Sequence, residues 1–209
     1  MKNIKYSLVI VLALLMGCSN NSNENEMDTL ETENLINLSE DEISDVLFLR
    51  EEEKLARDVY LYAYDLYKLS IFNNIAKSEQ SHMDNVLTLI DNYGLEDPIF
   101  EERGKFKNIE LQELYNTLIK QCNLSLLDAF LVGNTIEDLD IYDIIKNESR
   151  TSKTDILDVY SSLKCGSKNH LRSFYKQVTQ SNGDYNPVYI SSEEFNLIVS
   201  SSNEFCGSN

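Results

Sequence analysis

IFNNIAKSEQSHMD, residues 71–84, reads as helix and sets Glu79 and His82 three positions apart. Residues i and i+3 share a helix face, so the carboxylate and the imidazole can reach one point. Ile75, Val86, Leu89 and Ile90 fall on the same face at helical spacing, which turns that face toward a core. A Glu-x-x-His pair facing inward is half of a carboxylate-bridged dimetal site of the kind built between bundled helices. A short turn at Lys68, Leu69 and Ser70 precedes this helix, and Gly94 supplies its C-terminal stop.

The turn is short enough to make the preceding helix its antiparallel neighbour. That first helix starts at Ser39, with Glu42 in the capping-box position, and runs to about Tyr67. Phe48, Glu52, Leu55, Ala56, Val59, Tyr62, Ala63 and Leu66 form its inward stripe. Glu52 interrupts an apolar face and needs a partner, a proton or a metal there. Glu51 and Glu53 lie toward the edges, where solvent accounts for them, and a register shift of one position would put Glu53 in the place of Glu52.

Pro98 lies in a loop, and Asn108 caps a shorter helix to about Gln121 that serves as a connection. The next helix starts near Ser125 and carries Leu127, Phe130, Gly133, Glu137, Ile141 and Ile144 at steps of three and four, with Asp140 one turn beyond Glu137. Gly133 leaves room for a close-packed partner or a ligand, and Thr135 and Ile136 are a candidate break. The last long helix runs from about Thr154 to Gln180 and points His170 inward. Ser167 stands where a second Glu-x-x-His would need glutamate. A short helix after Ser191 forms a C-terminal flap, and no strand or repeat signal is present.

The chain has 209 residues, 42% of them hydrophobic, with two prolines and seven glycines, which fits one helical domain with appendages. Its formal charge of −17 leaves no basic surface for phosphate, so nucleic acid is not an expected partner. The four cysteines, at 18, 122, 165 and 206, are too widely spaced for a zinc ribbon or a Cys-x-x-Cys pair. A disulfide between Cys122 and Cys206 and a set of free thiols are equally good readings, with Cys165 facing away from the inward histidine.

Residues 1–17 combine Lys2 and Lys5, an apolar run and Leu15-Met16-Gly17 before Cys18. This resembles a bacterial lipoprotein signal, which would make Cys18 the lipidated first residue of the mature chain. The acidic tract 18–37 then reads as a flexible tether, residues 38–200 as the helical domain and 201–209 as a disordered tail. The expected location is the bacterial cell envelope, lipid-anchored to a membrane with the domain outside the cytoplasm.

Four segments carry a second resemblance: REEEKLARDVY (50–60), NIAKSEQSHMD (74–84), VGNTIEDLDI (132–141) and GSKNHLRSF (166–174). Together they are similar to the family of domain of unknown function 2202, within the ferritin-like superfamily. The resemblance implies an all-α fold: a ferritin-like four-helix bundle with an extra connecting helix and a short C-terminal flap. It implies no particular activity. Carried over from the wider superfamily, which includes rubrerythrins and bacterioferritins, the metal ligands would be Glu52 or Glu53, Glu79, His82, Glu137 and His170. Asp140 is the nearest replacement for the glutamate missing at Ser167.

Carboxylate and imidazole donors suit iron or manganese, as one or two ions. The expected function is therefore a membrane-tethered metal-dependent oxidoreductase of peroxidase or ferroxidase type, acting with peroxide or dioxygen. It would need an external electron donor, since no rubredoxin-like Cys-x-x-Cys pairs are present, and a homodimer is compatible with the fold. Tyr60, Tyr62 and Tyr64 offer a pocket wall or a radical carrier beside the commoner role of packing. The alternative is a non-enzymatic envelope lipoprotein whose bundle is a scaffold or binding module. In that case Glu79 and Glu137 would accept hydrogen bonds from Tyr62, Arg57 or the histidines, with no metal.

Overall fold

In the computed structural model the described residues are 38–206. The signal, the tether and Cys18 lie outside them. Among the described residues there are six helices and no strand: α1 (Glu40–Tyr67), α2 (Ser70–Asn92), α3 (Ile109–Cys122), α4 (Leu126–Glu148), α5 (Thr154–Gln180) and α6 (Ser192–Ser200). None of them is long and apolar enough to cross a membrane.

The boundaries follow from local chemistry. Ser39 accepts from the Glu42 amide while the Glu42 carboxylate accepts from the Ser39 amide, so the capping box closes α1 as its sequence requires. Lys68 ends the helix in the left-handed region at φ 55°. Asn108 and Ser125 cap α3 and α4 through their side chains. α4 runs unbroken through the expected break, with the Thr135 hydroxyl donating back to the Leu131 carbonyl within the helix.

The long helices pack as two hairpins, α1 with α2 and α4 with α5, joined through α1 against α4 and α2 against α5. α3 bridges α1 and α4, and α6 lies on α5. Gly133 marks a close approach between α4 and α5. A Cβ there would stand 2.6 Å from the Phe174 ring, so the partner that this glycine admits is a phenylalanine.

Every long helix is apolar toward both ends and polar in its middle. One buried cluster contains Leu55, Val59, Phe72, Ile75, Phe130, Ile136 and Phe174. Another contains Val46, Leu49, Val86, Ile90, Ile144, Ile156 and Leu163. Between them in each sequence fall Glu52 and Glu53, Glu79 and His82, Glu137 and Asp140, and Ser167 and His170, all buried. Two apolar plugs thus enclose one polar layer in the interior, where unpaired charge is costly.

The cysteine pairing and the tail differ from the sequence reading. Cys206 is bonded to Cys165, not to Cys122, which is a free thiol buried in the first apolar cluster. Residues 201–206 are correspondingly held in place. Arg172 donates to the Ile198 carbonyl, the Ser201 hydroxyl and the Glu204 carboxylate, and Asn169 donates to the Glu204 carbonyl. A buried arginine on α5 supplied the fixed point that composition alone could not reveal.

Candidate metal centre

The polar layer contains two overlapping groups of metal-ligating side chains: Glu53, Glu79 and His82, and Glu79, Glu137 and His170. Four helices supply them, Glu53 from α1, Glu79 and His82 from α2, Glu137 from α4 and His170 from α5. Glu79 belongs to both groups. Its Oε2 lies 2.8 Å from His82 Nδ1, and its Oε1 lies 2.8 Å from His170 Nδ1. Glu53 Oε2 stands 3.1 Å from His82 Nδ1, and Glu137 Oε2 stands 3.5 Å from His170 Nδ1. The two imidazoles stack with ring centroids 5.6 Å apart.

Several of these atoms converge without satisfying one another. His170 Nδ1 and Glu79 Oε1 are close, yet neither has a hydrogen-bond partner, and Glu53 Oε1 is equally orphaned. The imidazole nitrogen and the carboxylate oxygen are thus near neighbours without hydrogen-bond geometry, and the ligand atoms of each group lie within 4.8 Å of one another, which suits ligands of one cation. Buried polar atoms are otherwise nearly always paired. The distal side is conventional: His170 Nε2 sits 3.0 Å from the Ser78 hydroxyl, and Tyr60 donates to Glu137 Oε1 at 2.5 Å.

Charge tells the same story. Burial pushes Glu79 up, but the facing His170 and His82 overcome this and hold it below the usual carboxylate range. Burial would lower His170, but Glu79 and Glu137 raise it to about 10, and Glu53 and Glu79 likewise raise His82. Glu137 is pushed up to about 7 by burial and by the Glu79 charge. Without metal, the centre sets an ionised Glu79 against protons on its histidines, with Glu53 and Glu137 pushed toward their neutral forms by burial. Cations would displace those protons, since ligating imidazole must be neutral.

Glu52 and Asp140 are buried in the same layer but belong to neither ligand group. At the first helix the structure takes the other register, with Glu53 in the group and Glu52 beside it. The stripe misled because α1 is covered by α2, α3 and α4, so its buried arc is too wide to have one centre. Glu51, assigned to solvent, is also buried and accepts from the Lys107 and Asn108 amides ahead of α3. Asp140 accepts from the Ser167 hydroxyl, so serine and aspartate together occupy the place of the missing glutamate.

Of the donors expected for a metal-free network, the two histidines do stand against Glu79 and Glu137, while Tyr62 and Arg57 are engaged elsewhere. Tyr62 accepts from Asn123, and Arg57 donates to Asp58 and Gln80. Tyr60 is the tyrosine that reaches the centre.

Gly166 was not singled out by sequence, yet a Cβ there would stand 2.5 Å from His82 Nε2. Its only sequence signal is its place four residues before His170 on the same helix. Gly166→Ala is therefore expected to push His82 away from Glu53 and Glu79 while sparing Glu137 and His170. If each group holds an ion, metal content should fall to one per chain, as read by elemental analysis. Two ions retained would show that His82 yields without cost.

An open cleft of about 340 Å³ reaches the outer edges of both imidazoles, walled by Ser78, Ser81, Asn85, Asn169 and the strapped residues Glu204 to Cys206. Serines and asparagines make up much of its wall, with Glu204 and the two imidazoles as its ionisable groups.

A family model described as "Uncharacterized protein domain (DUF2202)" matches residues 42–202. The chain is 47% identical over 168 residues to "Uncharacterized protein MJ0754" of Methanocaldococcus jannaschii, an alignment covering 80% of this chain and 91% of that protein. A crystal structure of hypothetical protein MJ0754 superposes with a TM-score of 0.79, covering 80% of this chain and 96% of that one.

Proposed function

The chain belongs to the DUF2202 family, and we propose that its polar layer is a dinuclear centre for iron or manganese in a ferritin-like four-helix bundle. The observation that carries this reading is Glu79, with one oxygen 2.8 Å from each of two imidazole Nδ1 atoms and one of those contacts lacking hydrogen-bond geometry. Glu53 and His82 would complete one half, and Glu137 and His170 the other. The donors are all oxygen and nitrogen, which fits these metals and not a thiolate zinc site.

Such a metal pair supplies redox chemistry toward peroxide or dioxygen. The chain's own residues set the conditions for it. Tyr60 fixes the orientation of Glu137 through its hydrogen bond, and Ser78 fixes the His170 ring. The apolar clusters on either side exclude water, and the cleft admits a small oxidant to the histidine side. Electrons would come from an external donor. Residues 1–37 support the further proposal that the domain is lipid-anchored through Cys18 outside the cytoplasm.

Full-length protein purified in detergent without chelator is expected to carry two iron or manganese ions per chain by elemental analysis. Loading the metal-free protein should release protons, which calorimetry in buffers of different ionisation enthalpy detects. No ion bound after reconstitution of folded protein would remove the metal reading and leave a scaffold role.

A further inference from the structure

A second line of carboxylates leads away from the centre. On α4, Glu137, Asp140 and Asp143 follow at steps of three, about 9 Å of helix from first to last. Glu137 is a member of the ligand group, Asp140 is buried, and Asp143 lines an open cleft of about 400 Å³ between α1 and α4. Glu52 of α1 faces Asp143. It is 3% exposed, and neither of its oxygens has a hydrogen-bond donor. Asp140 lies close enough to Glu53, Glu52 and Glu137 to feel the charge of each, and its Oδ1 is likewise without a donor.

Glu52 and Asp143 are close enough for their two carboxyls to share a proton, and otherwise the row has few donors to accept from. Tyr60 donates to Glu137 and the Ser167 hydroxyl to Asp140, which leaves Asp140 Oδ1 and both Glu52 oxygens without a donor. At the mouth, half-exposed Lys146 stands 3.8 Å from Asp143. Arg150 in the same cleft is held by Asp45 and Asn147, and Glu110 adds a further acid. As a structural element such a row is costly, since orphaned buried carboxylates lose hydration without compensation. For a divalent cation shedding water it is a series of oxygen ligands.

We propose that Asp143, Glu52 and Asp140 form the route by which a divalent cation passes from the α1/α4 cleft to the buried ligand group. The inference rests on the metal-centre reading. It gives the protein two separate approaches: an acidic one for cations between α1 and α4, and one for a small molecule at the histidines. Glu52, which joins neither ligand group, thereby has a use that explains its orphaned oxygens.

The test is the uptake of Mn²⁺ by metal-free full-length protein, followed by loss of the free-ion electron paramagnetic resonance signal after rapid mixing. Glu52→Gln and Asp143→Asn keep shape while replacing a cation-binding carboxyl with an amide. Both are expected to slow uptake about tenfold or more, with the final content unchanged at two ions. Asp143 sits at the half-exposed mouth, so Asp143→Asn reads the route even where Glu52→Gln perturbs folding. Uptake at the wild-type rate in both variants would overturn the route and leave the centre intact. A lower final content would also overturn it, making these residues ligands. Failure of the wild-type protein to take up Mn²⁺ or Fe²⁺ would overturn the centre and the route together.

Discussion

Glu79→Ala is expected to abolish binding of both metal ions while leaving the helices folded. No other side chain belongs to both ligand groups, and its two oxygens serve two different histidines. Loss of an outer-shell partner alone weakens metal affinity 10- to 100-fold, so loss of a shared ligand should exceed about 100-fold at each position. Elemental analysis together with far-ultraviolet circular dichroism separates this from unfolding. One ion retained would mean that the halves are independent and that Glu79 does not bridge.

The same variant should alter how metal-free stability depends on pH. Glu79 lies below its ordinary 4.5 in the folded state, so its contribution is present above that value and lost as pH falls through the depressed one. His170 is raised from 6.5 to about 10, so its contribution is full below pH 6.5 and lost as pH rises toward 10. Removing Glu79 weakens both, and denaturant melts from acid to alkaline pH should show a flatter profile.

Asp58→Ala should cause the largest loss of stability. Lys54 and Asp58 are wholly buried one helical turn apart, with Lys54 Nζ 2.7 Å from Asp58 Oδ2. Lys54 also donates to the Glu102 and Lys105 carbonyls, and Asp58 accepts from the Gly104 amide and from Arg57. The pair ties the loop before α3 to α1. Deleting the carboxylate strands an ammonium in the interior, at a cost of about 3–5 kcal/mol. At about 2–4 °C per kcal/mol, Tm falls by roughly 6–20 °C. The double variant Lys54→Met, Asp58→Leu should recover much of this, because an apolar pair of similar volume removes the stranded charge. A loss under about 1 kcal/mol in the single variant would show that water reaches Lys54.

The long helices were legible because their signals are local: the Ser39 and Glu42 capping box, the short turn at Lys68, and apolar steps of three and four. Glu79, His82, Glu137 and His170 were legible because polar residues interrupt otherwise apolar faces. Glu53 was harder, since adjacent positions on a helix covered from three sides are both buried. Pairing across space was not legible at all. Nothing near Cys165 or Cys206 announces their bond, and nothing near Gly166 announces the imidazole it admits from another helix.

The Cys165–Cys206 bond places a chemical condition on the tail that helps wall the histidine cleft. It exists only where thiols are oxidised. Protein recovered from a reducing cytosol and protein exported to an oxidising space would share one sequence and differ in how firmly residues 204–206 are held beside His82 and His170. The choice of expression host is thus an experimental variable for any assay of small-molecule access, and thiol titration belongs beside every such measurement.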